Sequence, residues 1–173
     1  GVTIEAFYLF PPGYQKEHSY PAVLHIHGGP QAQWDFGFNY EAQLLAAQGY
    51  IVVMPNPRGS FGYGQKFASA INKDWGGPDF IDVMAAMDFG IDKGWIDSER
   101  MAVYGWSYGG MLTNHVITKT NRFASAESGA GSERTDESIC AIDSCTEFDI
   151  ERSSSSVASP REIKVFFVIS SGS

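Results

Sequence analysis

A chain of 173 residues is at most one domain's worth of polypeptide, long enough to bury a core, with the apolar and charged fractions of a soluble globular protein. Its net charge of −8 argues against a nucleic-acid partner, because neutralising phosphates needs a basic surface. No run is apolar and long enough to span a bilayer, and the start at Gly1-Val2-Thr3 is no signal peptide. A soluble chain is therefore expected; the start also lacks an initiator Met, which predicts an excised or incomplete piece of a longer chain and leaves the compartment open.

In chain order, Val2 to Phe10 alternates loosely and predicts an antiparallel edge strand before the Pro11-Pro12-Gly13 turn. Ala22 to His27 predicts a second strand, running straight into Gly28-Gly29-Pro30. Tyr40 to Gln48 has helical composition and stops at Gly49. Ile51 to Met54 is continuously apolar, as expected of a strand covered on both faces, and a glycine-rich loop from Pro55 to Pro78 follows. Asp79 is the predicted N-cap of a helix through Lys93 that Gly94 ends. Met101 to Tyr104 predicts a strand, Gly109 to Thr120 a helix, and Phe123 to Ser128 a further strand. Glu127 then falls in a strand expected to be buried, where an unpaired carboxylate is costly.

From about Gly131 the composition turns rich in Ser, Glu and Asp, with an unbroken serine run from Ser153 to Ser156. We therefore expect residues 1–130 to form the N-terminal part of the domain. Residues 131–173 are expected to be a divergent, irregular tail with one strand at Ile163 to Ile169. Strands alternating with helices at this spacing predict an α/β fold with a mostly parallel sheet, right-handed crossovers and ligand sites beyond the carboxyl ends of the strands. The loops at Gly28-Gly29, Pro55-Gly64 and Ser107 all follow strand ends and so converge on one edge.

The most informative stretch is Gly105-Trp106-Ser107-Tyr108-Gly109-Gly110, placed between an apolar run and a helical one. A Gly-x-Ser-x-Gly turn from strand to helix forces its serine into a strained conformation and lifts the hydroxyl above the sheet, at the positive end of the next helix. Only residues without a Cβ fit at Gly105 and Gly109. The amide of Tyr108 and, from the glycine loop, the amide of Gly29 are the expected donors to an oxyanion.

A serine hydroxyl also needs a base, and the base an orienting acid. After Ser107 the only histidine is His115, which a rigid helix carries away at about 1.5 Å per residue. His18, His25 and His27 lie upstream, and a packed strand residue is the simplest account of His25. Asp136, Asp143 and Asp149 sit in the biased tail, so neither triad acid nor triad histidine is identifiable.

The pair His25 and His27 shares a strand face but has no clustered third ligand, and Cys140 and Cys145 form no paired CxxC pattern. Two free thiols are expected, a disulfide being the alternative, and neither a metal nor a cofactor is predicted. Gly59, Gly62 and Gly64 lack the Lys-Ser/Thr and following helix of a phosphate cradle. Arg58 either binds a substrate carboxylate or, the favoured reading, pins its loop by hydrogen bonds. Tyr63 and Trp106 are candidate pocket walls, with a place in the core as the alternative.

Four ordered motifs resemble the catalytic domain of the prolyl oligopeptidase family of serine peptidases, closest to its acylaminoacyl-peptidase and dipeptidyl-peptidase branches. They are His27-Gly28-Gly29-Pro30, Asn56-Pro57-Arg58-Gly59-Ser60-x-Gly62-Tyr63-Gly64, Asp74-Trp75-Gly76-Gly77-x-Asp79 and Gly105-Trp106-Ser107-Tyr108-Gly109-Gly110. The resemblance covers roughly Val2 to Gly131 and implies an α/β-hydrolase fold, here lacking its last strands. It further implies a peptide substrate, Ser107 as nucleophile, and the amides of Gly29 and Tyr108 as oxyanion hole. Some branches carry a tyrosine hydroxyl donor at the position of His27, which makes His27 a candidate pocket residue with that donor lost or altered. Family members add an N-terminal β-propeller that screens substrates by size, which this sequence does not include.

The acid of such a family follows a strand that Ile163-Ile169 would match, yet Ser170-Ser171-Gly172-Ser173 offers no Asp. A truncated or frame-disrupted copy is the expectation, with an exposed sheet edge and little or no activity. The rival readings are an esterase or lipase, since the elbow and glycine loop serve esters equally, and a non-catalytic fragment. The sequence sets no oligomeric state.

Overall fold

The computed structural model describes residues 1–131 and the backbone of a strand at 163–169. Asp136, Asp143, Asp149, Cys140, Cys145 and the serine run lie outside the described residues. The chain forms six strands: β1 (Ile4–Phe10), β2 (Tyr20–Ile26), β3 (Ile51–Asn56), β4 (Ile96–Trp106), β5 (Ser125–Gly129) and β6 (Ile163–Ile169). Between them run the helices α1 (Tyr40–Ala47), α2 (Gln65–Ala68), α3 (Pro78–Asp92) and α4 (Tyr108–Lys119). The strands make one sheet in the order β5-β4-β2-β3-β1-β6. Every pairing is parallel except that of β1 with β3. This is the expected α/β arrangement, a mostly parallel sheet with helices on both faces.

Alternation along β2 and β4 assigns the faces. Ala22, Leu24 and Ile26 join Met101 and Val103 in a core closed by Val83, Ala86 and Met87 of α3 and by Leu112 and Val116 of α4. The opposite face carries a smaller cluster in which Ala42 and Ala46 of α1 cover Phe7, Leu9, Val52 and Met54.

Several boundaries differ from expectation. β1 is antiparallel to β3, as read, but β6 flanks its other side with Ile4 opposite Ile163, so among the described residues it is not an edge. Its run Ala6 to Phe10 is buried without alternation, which suits an interior strand. β6 sits at the far side of the sheet from β5, so this strand does not extend the sheet beyond the elbow, where an acid would have to be delivered.

Pro55 and Asn56 belong to β3, and the long loop contains the single turn α2. Gly77, not Asp79, caps α3, because Pro78 takes the first helical position, where its missing N–H costs nothing. Glu127 is exposed rather than buried, because β5 closes one end of the described sheet and its Glu127 side faces solvent.

Candidate active site

β4 ends at Trp106, α4 begins at Tyr108, and Ser107 is the single residue between them. Ser107 has φ 59° and ψ −120°, a backbone conformation that costs about 1–3 kcal/mol and persists only when the surroundings over-determine it. They do so through its own backbone: its N–H donates to Gly129 O at 2.8 Å, and its carbonyl accepts from Met111 N at 3.0 Å. Its side chain stays exposed at the mouth of the sheet.

The glycines explain how a helix start fits so close to two strands. A Cβ on Gly105 would lie 2.5 Å from Gly109 O, and one on Gly110 would lie 2.5 Å from Gly129 O. A Cβ on Gly109 would overlap the Ile26 carbonyl oxygen and come within 2.9 Å of that of His27. The end of β2 thus passes directly over the elbow.

That crossing brings in the glycine loop. The Cβ position of Gly28 is 3.8 Å from Ser107 Cβ, so the loop and the serine are neighbours. Gly29 has φ +122°, where a side chain would meet Gln31 N at 2.6 Å, which explains a glycine there. No hydrogen bond among the described residues engages its N–H. The N–H of Tyr108 is one of the four that a helix start leaves without an intrahelical partner.

The other candidates are distributed around this centre. His27 is buried, with Nδ1 2.7 Å from Gly28 O and Nε2 2.9 Å from Ser60 Oγ. Burial pushes its pKa down, so the ring is neutral. Both nitrogens then have a polar neighbour: Nδ1 faces the Gly28 carbonyl, and Nε2 faces the Ser60 hydroxyl, which itself donates to Pro57 O at 2.7 Å.

Arg58 forks onto Asp82, with Nε and Nη2 each 2.7 Å from a carboxylate oxygen, while a second Nη2 bond reaches Pro78 O. Hydrogen bonding to Asp82 raises the guanidinium pKa further. The Tyr63 hydroxyl donates to Glu5 at 2.7 Å and accepts from Asn56 Nδ2 at 2.8 Å, and burial, then the Glu5 bond, raise its pKa. Trp106 is 69 % exposed beside Ser107, with its ring lying against Gly129. Ser107, Gly29, Tyr108 and Trp106 therefore come together, whereas the polar ends of Arg58 and Tyr63 turn into the scaffold.

All four histidines of the chain are among the described residues. His25 stacks on Tyr104 at 4.0 Å and shares a 2.8 Å hydrogen bond with its hydroxyl. His18 is an exposed turn residue. The ring of His115 packs against Gly76, eight residues along α4 from Ser107 and so about 12 Å of helix rise away. No hydrogen bond between an imidazole and Ser107 Oγ occurs among the described residues.

Sequence reasoning missed the partner of Tyr108. Its hydroxyl donates to the fully buried Asp79 at 2.6 Å. The only signal was Asp79's place in the Asp74–Asp79 motif, because helix-capping rules offered a local use for the carboxylate.

A strand–serine–helix elbow at the carboxyl edge of a mostly parallel sheet, flanked by a glycine loop, defines an α/β-hydrolase. A model of the prolyl oligopeptidase family matches residues 34–156. The Bacillus subtilis peptidase YuxL is 46 % identical over 127 residues, which are 73 % of this chain and 19 % of that protein. A probable dipeptidyl-peptidase 5 of Emericella nidulans is 38 % identical over 116 residues, 65 % of this chain and 16 % of the relative. Among solved structures, the acylaminoacyl peptidase of Pyrococcus horikoshii superposes with a TM-score of 0.64 at 35 % identity, covering 70 % of this chain and 20 % of that one. A puromycin-hydrolyzing peptidase of Mycobacterium tuberculosis gives 0.65 at 32 %, covering 70 % and 19 %. The chain belongs to the prolyl oligopeptidase family of serine peptidases, and it spans about a fifth of the length of these relatives.

Proposed function

We propose that this chain carries the nucleophilic and oxyanion-binding half of a serine peptidase site acting on short peptides. Ser107 attacks the scissile carbonyl, the amides of Gly29 and Tyr108 receive the oxyanion, and Trp106 forms one wall beside the reacting group. Ordinary acyl-transfer balance follows: the Oγ–C bond forms as the C–N bond breaks, and the hydroxyl proton passes through a base to the leaving amine. The single observation behind this reading is the φ of +59° at Ser107, strain that a plain glycine turn has no reason to keep.

None of the described imidazoles is placed to collect the proton, so the chain by itself acylates slowly. Phosphonylation by a fluorophosphonate, followed by peptide mass spectrometry, tests both parts. Ser107 is expected to label slowly alone and faster with added imidazole, which supplies a base from solution, with no label at that site in Ser107→Ala. Rapid labelling without imidazole would overturn the missing base. Equal labelling of Ser107 and other exposed serines under both conditions would overturn the nucleophile.

A further inference from the structure

The helix that begins one residue after Ser107 is held at its start by a side chain from another element. Tyr108 points inward, its buried ring edge-on to Trp75 at 5.5 Å and 79°, and its hydroxyl 2.6 Å from Asp79 Oδ2. Asp79 lies in the first turn of α3, fully buried, and also accepts from Gly76 N at 3.2 Å and Phe80 N at 3.0 Å. The same segment grips α4 twice more: the His115 ring packs on Gly76, and the Lys119 ammonium donates to the Gly76 carbonyl. Positions 108, 115 and 119 fall on one helix face, so the grip runs the length of α4.

An amide stabilises a developing oxyanion only when its direction is fixed before the reaction, and a strained serine keeps its conformation only under outside constraint. We propose that Asp79 is a positioning residue for the Tyr108 amide: it holds the phenol end of Tyr108 and so fixes the start of α4, keeping the N–H aimed above Ser107 Oγ. This rests on the roles given to Ser107 and Tyr108 under the proposed function. A short O–H···O⁻ bond from a buried phenol to a buried carboxylate is among the stronger hydrogen bonds available. Burial, then the Asp79 charge, raise the Tyr108 pKa, so the hydroxyl remains a donor at any working pH.

The test compares Tyr108→Phe, Asp79→Asn, Asp79→Ala and the double variant Tyr108→Phe/Asp79→Ala in imidazole-assisted phosphonylation of the full chain. Temperature is kept well below each melting transition. Tyr108→Phe keeps the ring against Trp75 and removes only the hydroxyl, so it covers the case in which Asp79→Ala fails to fold. The limiting rate is expected to fall about tenfold in Tyr108→Phe, less than the 10²–10³ of deleting an oxyanion donor outright, with unchanged half-saturation by the probe. Asp79→Asn, which keeps an acceptor, is expected to fall less than Asp79→Ala, and the double variant to be no slower than the worse single one.

A merely structural pair would lower the melting temperature and leave the limiting rate of the folded protein alone, which would overturn the proposal. The ¹⁵N order parameter of the Tyr108 amide decides the matter without chemistry: about 0.85 in the parent and lower in Tyr108→Phe is expected. An unchanged value overturns the tether. Failure of the parent to label at Ser107, with the order parameter still falling, would instead overturn the nucleophile reading and leave the tether standing.

Discussion

The two faces of the sheet are built to different standards. On one, α3 and α4 lie over β2 and β4 and bury an unbroken core of aliphatic side chains. On the other, α1 covers β1 and β3 but, among the described residues, leaves an open groove of about 940 Å³ across β2, β4 and β5. Val23, Ala102 and Leu44 line that groove with Tyr104, Glu41 and Glu127. The backbone of Ser107 is held by Gly129 of β5 and by Met111 of α4, while His25 of β2 and His27 just beyond it both lie against Trp34 on the other face. A strained backbone conformation needs rigid neighbours, and among the described residues the face under α3 and α4 carries the larger packed cluster.

The sharpest way to break this contrast is at the crossing of β2 over the elbow. Gly109→Ala puts a methyl into the carbonyls of Ile26 and His27, both backbone atoms that cannot step aside. We expect a loss of about 3 kcal/mol or more, seen as a collapsed cooperative transition in urea. Gly49→Ala, with φ +94° and nothing within 4 Å, meets only backbone strain and should keep its transition. Equal effects at the two positions would mean that the elbow is less tightly built than its distances say.

Next in size, Leu112→Ala removes a buried side chain of α4 from the larger core and should cost about 2–5 kcal/mol in the same assay. Leu44→Ala on the groove wall, already half exposed, should stay within about 0.5 kcal/mol. Similar losses would show the groove side to be as well packed as the other.

The legible part of this molecule was the part where spacing alone fixes geometry. Gly105 and Gly109 flank Ser107 and specify the turn, because a Cβ on either glycine would run into neighbouring backbone. The apolar run at Ile51 and the glycine stop at Gly49 specify local elements in the same way. Pairings distant in sequence were not legible. Asp79 meets Tyr108 across 29 positions, and a local capping rule competed for the same carboxylate. An apolar run marked Ile163–Ile169 as a strand, but apolarity says nothing about which neighbour it chooses, and it lies beside β1. Glu127 was misjudged for the same reason: its strand closes the described sheet, and edge position is a property of the whole sheet order.

A smaller effect, read over the single pH unit between 6 and 5, probes the groove side through acid. His25 lies on that face, packed between Tyr104 and Trp34, and burial, then the neighbouring His27, lower its pKa from 6.5 to about 3. Glu41 stands 3.8 Å from Nε2 but is largely exposed, so solvent screens most of the attraction that would favour the charged ring. The folded state therefore prefers neutral His25, while the unfolded chain takes up a proton below pH 6.5. Stability from this group is complete above pH 6.5 and declines by about 1.4 kcal/mol per pH unit as acid is added, until the ring charges in place near pH 3. His27, also lowered by burial, adds to the decline. Urea titrations at pH 6 and pH 5 on the parent and on His25→Gln should give slopes that differ by about one proton, because Gln can accept from Tyr104 without titrating. Identical slopes would mean that water already reaches His25 through the groove, and that the open face is wetter than the ring stack implies.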